Sequence, residues 1–392
     1  MNYDRYINPA VAAVPPSGIR RFFDIAATMK DAISLGVGEP DFVTPYHIRN
    51  AAINSILDGE TQYTGNRGLP ELLNEISYYL DSRYHTKYDP KHEIMVTVGA
   101  SEAIDIALRA LVAPGDEVLV PEPSYVSYSP SVIFAGGKPV GVETTAETEF
   151  RLTPEAVRKA VTPRTKALIL PYPNNPTGGI MGREDLMKLA EVVKETGIIV
   201  ISDEIYSELT YGGVQHTSFA SLPGMWDYTL TINGFSKAFA MTGWRVGYVC
   251  GPAPLLDVML KIHQYSILCA PRMGQVAAAE ALRIGRENDY EDVIRMRESY
   301  DRRRRLMVEG FRSMGLDCFE PLGAFYVFPC IKSTGLTSEE FCERLLHEKK
   351  VACVPGTAFG ACGEGHIRCS YATSIDKLNI ALDKMNDFVR SL

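Results

Sequence analysis

The eight cysteines of this 392-residue chain, at positions 250, 269, 318, 330, 342, 353, 362 and 369, include no CxxC pair. That absence removes the usual zinc-ligand spacing and any recognisable disulfide framework, so reduced thiols and no metal are expected. No window approaches the ~18 apolar residues that a membrane span needs. The start, MNYDRYINPAVAAVPPSGIRRFF, lacks a basic stretch followed by an apolar core, so no secretory signal is read from it. A soluble, cytoplasmic protein is the expectation. There is no basic excess either: the net charge of −8 argues against a nucleic-acid partner. The densest basic run, RMRESYDRRRRL at 295–306, has interleaved acids at helical spacing and reads as a solvated helix face. Repeats and low-complexity segments are also missing.

What is present is ordinary globular material, 46% hydrophobic and 22% charged, on a chain too long for one compact core. Short β-branched runs occur at 93–98, 116–120, 166–170, 197–202, 228–232 and 245–250. Amphipathic segments such as 101–112, 153–161 and 183–196 lie between them. Continuous apolar strands alternating with helices predict an α/β domain with a mainly parallel sheet, over 45–290. A long charged helix, GAFYVFPCI, a further helix at 338–348 and HIRCSYA follow, predicting a smaller α+β domain over 291–392. Residues 1–44 are assigned to an N-terminal arm and part of the small domain, and the Pro-rich stretch 9–16 is expected to be extended.

Ligands of parallel α/β sheets bind beyond the carboxyl ends of the strands. Those positions hold Gly99-Ala100-Ser101, PEPSYVSY, PYPNNPTGG, Asp203-Glu-Ile-Tyr206 and NGFSKAFAMTGWR. Gly99-Ala100-Ser101 opening a helix offers backbone N–H groups and a positive dipole end to a phosphate, although a serine there also serves as a plain N-cap. Ser236 and Arg245 add a hydroxyl and a fixed charge. Lys237 stands among apolar residues; most lysines are exposed and inert, but a desolvated one has a lowered pKa and forms Schiff bases. Asp203 ends an apolar strand, so its carboxylate should find a cation, either in a salt bridge or on a ring nitrogen. Glu204 should point the other way. Asn175 reads as a turn residue and Tyr125 as core when each is taken alone. Together these residues describe a site for an aromatic, phosphorylated, carbonyl-bearing cofactor.

Six ordered motifs, ISLGVGEPDF (33–42), YTGNRGLPEL (63–72), PYPNNPTGG (171–179), SDEIY (202–206), NGFSKAFAMTGWRVGY (233–248) and HIRCSYA (366–372), resemble those of the class I/II pyridoxal-phosphate aminotransferases. The resemblance covers essentially the whole chain and is to the prokaryotic aspartate, aromatic and N-acetyl-diaminopimelate subgroup. It implies fold type I: a mainly parallel seven-stranded sheet flanked by helices, plus a smaller α+β domain. It implies pyridoxal 5'-phosphate bound as a Schiff base to Lys237, whose freed amine then moves protons at the substrate. Asp203 would pair with the pyridinium nitrogen, Asn175 and Tyr206 with the ring oxygen, and Tyr125 would stack on the ring. Ala100, Ser101, Ser236 and Arg245 would hold the phosphate, with Tyr63 reaching in from the partner of a homodimer. Arg368 would take the substrate α-carboxylate in a bidentate fork, beside Asn175 and the backbone of Gly38.

The chain departs from the pattern twice: Gly234 stands where many relatives have serine, and Ser101 where some acidic-substrate relatives have lysine. The implied reaction is ping-pong transfer from an aspartate, aromatic or diaminopimelate-type donor, with 2-oxoglutarate as acceptor. Arg20 and Arg21, in SGIRRFFDIA (17–26), either meet a distal carboxylate or lie on the surface. A carbon–sulfur β-lyase on the same scaffold is the alternative. A regulator's effector domain is a distant one, since Gly38 leaves little room before it for a DNA-binding module.

Overall fold

Seven strands build the main sheet of the computed structural model, which describes every residue except 2, 17, 19–28 and 30. In chain order the strands are β1 (Ile33–Ser34), β2 (Ile94–Thr97), β3 (Glu117–Glu122), β4 (Lys138–Glu143), β5 (Thr165–Leu170) and β6 (Ile199–Asp203). They continue with β7 (Thr229–Gly234), β8 (Gly247–Cys250), β9 (Tyr326–Val327), β10 (Val351–Ala352), β11 (Val354–Pro355) and β12 (Ile367–Ser370). The main sheet runs β2-β8-β7-β6-β5-β3-β4, and β8 alone is antiparallel to its neighbours. All of β7 and β8 is buried, which is why these segments read as continuous apolar runs instead of alternating ones.

The periodicity missed β4, whose KPVGVE carries Pro139 and Gly141. Both residue types are depleted in strands, and proline is tolerated at a sheet edge, where β4 lies. The stretch 9–16 is not extended throughout. Pro9–Ala12 forms a short helix, because Asn8 caps it by accepting from the Ala10 N–H at 3.0 Å and proline suits the first helical position.

Helices cover the sheet on sequence logic. Arg183–Thr196 buries Leu186, Leu189, Ala190, Val192 and Val193, and stops at Gly197 with φ +69°, the left-handed position glycine adopts freely. A side chain such as Leu189, fully buried, contributes roughly 2–3 kcal/mol through burial. A second core gathers the long helix Glu291–Ser313, Ser338–Lys349 and Ile375–Arg390 around Phe325, Phe341 and Phe388. It carries the β11-β12-β9 sheet, and Leu35, just after β1, joins it through the β1–β10 pairing. Among the described residues no helix is long and apolar enough to cross a membrane.

Glu208, five residues past the end of β6, fixes that strand's exit. It accepts from Tyr79 at 2.7 Å, from Tyr84 at 3.0 Å and from Arg83 at 3.0 and 2.7 Å. Burial alone would raise its pKa, but the bonds from Arg83 and the two tyrosines bring it below the ordinary glutamate value. Glu208→Ala strands three donors and is expected to lower stability by about 3–5 kcal/mol. The urea midpoint of unfolding measures this, and an unchanged midpoint would show that the network stabilises nothing.

Candidate active site

The carboxyl ends of β2, β5, β6 and β7 and the amino end of antiparallel β8 lie along one edge of the sheet. Asp203, the last residue of β6, is buried. Its Oδ2 accepts from the Tyr128 hydroxyl at 2.8 Å and its Oδ1 from the Ile205 N–H at 3.2 Å. Of the two expected partners the salt bridge is not found: no ion pair to Asp203 occurs among the described residues, and each oxygen, accepting one hydrogen bond, keeps a lone pair free. Burial pushes the carboxyl above the ordinary aspartate range, and these two hydrogen bonds pull it part of the way back. Tyr125 meets Tyr128 edge-on, with ring centroids 5.6 Å apart.

Lys237 follows β7. Its Nζ donates to the Gly38 carbonyl at 2.6 Å and sits 5.6 Å from the ring centroids of both Tyr206 and Phe325. Desolvation lowers its pKa to about 8; Arg368 and Arg245 push the same way, while Glu39 and Asp203 oppose. Glycine at 38 is a packing requirement, since a Cβ there would lie 2.7 Å from the Tyr326 hydroxyl oxygen. That hydroxyl shares a 2.9 Å hydrogen bond with the Tyr206 hydroxyl. Burial raises the pKa of both phenols, so Tyr206 keeps its proton at neutral pH.

Arg368, on β12, brings the second sheet to the same place. Its Nη1 donates to Asn175 Oδ1 at 2.9 Å and its Nη2 to the Gly36 carbonyl, while its Nε lacks a partner. The guanidinium lies over Tyr326 at 4.6 Å and over Phe359 at 4.8 Å, and burial lowers its pKa from the ordinary arginine value. It makes no ion pair with a carboxylate among the described residues, so an uncompensated buried cation faces the cleft.

The third cluster surrounds the start of helix Gly99–Leu111. Ser101 is not its N-cap; the capping position is Val98, with no side-chain bond, and Ser101 is exposed in the first turn. Arg245 packs there: a Cβ on Gly99 would lie 2.6 Å from Arg245 Nη2, and one on Gly247 would lie 2.5 Å from the Ala100 nitrogen. Arg245 bonds only the Thr242 carbonyl, at 3.1 Å, and Ser236 is buried nearby in sequence without a hydrogen bond. Gly234 has its own reason, since a Cβ would come within 2.9 Å of Gly247 Cα. Tyr63 is 79% exposed and touches none of these groups. Arg20 and Arg21 lie outside the described residues. Glu204 does turn away, accepting from Ser202, Ser218 and the Phe219 N–H.

Residues 30–385 match the aminotransferase class I and II family. The chain belongs to that family. It is 51% identical to an aspartate aminotransferase of Pyrococcus abyssi, with 96% of each chain covered. It is 45% identical to aromatic-amino-acid aminotransferase 2 of Thermococcus litoralis, again with 96% of each covered. The solved structure of the Thermus thermophilus aspartate aminotransferase with maleate superposes with a TM-score of 0.93 at 40% identity, covering 98% of this chain and 99% of that one. The fold is therefore type I, and the activity is pyridoxal-phosphate-dependent amino-group transfer between an amino acid and a 2-oxo acid.

The cleft of this aminotransferase fits that cofactor on its own chemistry. A buried carboxylate lacks a cation, an amine has a depressed pKa, and an uncapped helix start carries an arginine free of carboxylates. The sequence motifs missed Tyr128, Tyr326 and Gly36, although each lay inside a quoted stretch. Tyr128 opens a helix three residues after Tyr125, across a turn that its N–H closes by donating to the Tyr125 carbonyl at 3.2 Å.

In cofactor-free protein, acylation of Lys237 is expected to rise with pH through about 8, where roughly half the amine is neutral, instead of near the ordinary lysine value. Peptide mass spectrometry of pulse-labelled protein checks this. A rate that keeps climbing to a midpoint above pH 10 would show that the pocket does not desolvate the amine.

Proposed function

We propose that this aminotransferase takes the amino group from an aspartate, aromatic or diaminopimelate-type L-amino acid and passes it to 2-oxoglutarate by a ping-pong mechanism. The observation that carries the assignment of substrate orientation is the Arg368 fork, buried, held by Asn175 and Gly36, and without a carboxylate of its own. An α-carboxylate supplies that missing partner bidentately, a geometry an ammonium cannot copy. The Gly38 carbonyl, already an acceptor for Lys237, brings the substrate's end of the cleft to the amine.

Pyridoxal phosphate, when bound, supplies the aldehyde that receives the amino group and a ring that withdraws electrons from the substrate Cα. In our assignment Lys237 would hold it, and its amine, with its lowered pKa, would carry the proton of the substrate Cα. Asp203, tightened by Tyr128, would hold the charge of a protonated ring nitrogen. Asn175 and the protonated Tyr206 would donate to the ring oxygen, and Tyr125 would pack against the ring. Ala100, Ser101, Ser236 and Arg245 would receive the phosphate, where helix N–H groups and a guanidinium meet.

The exposed Tyr46, Ile53, Ile56 and Leu57 support a homodimer, in which Tyr63 reaches the partner's phosphate site. Residues 1–44 serve as arm and part of a small domain, 45–290 as the large cofactor-binding domain and 291–392 as the rest of the small one. Eight cysteines without a disulfide support a cytoplasmic location.

A panel of L-amino acids offered with 2-oxoglutarate, read by glutamate release, tests the reading. Aspartate or an aromatic amino acid should give turnover, and glutamate release from none of the panel would overturn it. Arg368→Lys is expected to raise KM for the amino acid about 10²-fold, since it replaces a fork of charge-assisted bonds by one point charge. An unchanged KM would move α-carboxylate binding to another residue.

A further inference from the structure

The basic run 295–306 is not uniformly a solvated face. Arg303 and Arg304 turn inward, to Asp41 at 2.7 Å and to Glu320 at 2.6 Å. Arg295 pairs with Asp292 at 2.9 Å. Arg297 and Arg302 have no ion pair or hydrogen bond among the described residues, and with Arg305 they line a cavity of about 470 Å³. The opposite wall is the loop 210–215. There Gly212 and Gly213 both have positive φ, at 67° and 78°, and their N–H groups carry no hydrogen bond. Arginines without partners and unpaired backbone donors lining one cavity are an arrangement that oxyanions satisfy. The cavity has the size of a small-molecule site.

Two acids also line the cavity. Asp301 is shared between Arg304 at 2.8 Å and Arg305 at 3.4 Å, so its charge is already met, and Glu298 alone opposes an anion.

We propose that the groove between the loop 210–215 and the helix Glu291–Ser313 binds a small multiply charged oxyanion, a phosphate compound or a polycarboxylate, through Arg297, Arg302 and the Gly212–Gly213 backbone. The loop is tied to the wall of the active site: Thr210 bridges Gly323, and the Tyr211 N–H donates to the Leu322 carbonyl at 3.0 Å. Phe325 and Tyr326 follow directly. A ligand here joins the two elements that flank that wall, without entering the amino-acid site.

The test is calorimetric titration of the holoenzyme at fixed ionic strength with pyrophosphate and, separately, with tricarballylate. Wild type, Arg297→Gln/Arg302→Gln and Arg368→Lys are compared. Saturable binding of at least one probe is expected in wild type. It should persist in Arg368→Lys and weaken at least about tenfold in the double variant, as loss of charge-assisted bonds requires. Which probe binds identifies phosphate or carboxylate as the natural chemistry. The double variant should keep wild-type turnover without probe, since neither arginine touches the active site. Binding equal in wild type and the double variant, binding lost in Arg368→Lys, or no saturable binding of either probe overturns the proposal.

Discussion

Asp203 sets the terms for everything around it. A carboxylate removed from water costs several kcal/mol unless it is paired, and this one is met only by a phenol and a backbone N–H. Hydrogen bonds to a charged group contribute about 1.5–3 kcal/mol each, which keeps the carboxylate tolerable without neutralising it. The remaining demand is for a cation in the cleft. In the proposed arrangement a protonated ring nitrogen would answer it, and Asp203 would keep that proton in place. The strand end on which it stands is held from behind by Glu208 and the helix Pro70–Tyr84.

The positive groups follow from the same constraint. Lys237, Arg368 and Arg245 converge on a cleft that contains one buried carboxylate, so the field favours ligands carrying anionic ends. Arg368 and Arg245 each lack a carboxylate and have separate surroundings, one aromatic and buried, the other at a helix start. That separation suits a ligand with two unlike anionic ends. Their charges also help the burial of Lys237 to lower its pKa, which makes the amine a base near neutral pH.

The sequence reveals this site well where chemistry is carried by the residue at a strand end, as with Asp203, Lys237 and Asn175. It reveals poorly what depends on contacts across the fold. Tyr326 reads as one aromatic among several in GAFYVFPCI, and only the second sheet places its hydroxyl against Tyr206. Tyr128 acts through a 75-residue separation from Asp203, so no local pattern announces the pair. The salt-bridge alternative for Asp203 is not met for the complementary reason: burial can be read from an apolar run, but the identity of the neighbour cannot. β4 escapes because an edge strand tolerates the proline and glycine that a central strand excludes. The charged helix at 291–313 was legible as a helix, but its inward and outward arginines were not.

The site also depends on a junction. Asp203 and Lys237 leave the seven-stranded sheet, whereas Arg368 and Tyr326 belong to the three-stranded one. Ties between the two regions include the Arg368–Asn175 hydrogen bond, the Tyr206–Tyr326 hydroxyl pair, the Thr210–Gly323 bridge, and backbone hydrogen bonds from Tyr211 to Leu322, from Gly323 to Gly178 and from Ala324 to Leu209. Several of them lie within a few residues of a group assigned to substrate or cofactor. A shift of one sheet against the other therefore changes the distance from Arg368 to Lys237 and also strains the core that Tyr206, Leu209 and Tyr211 share with Phe325 and Ile367. Because proximity governs the rate of a proton transfer, the stiffness of this junction bears directly on catalysis. The groove beside the loop 210–215 lies on its outer face, where a bound anion would stiffen it from behind.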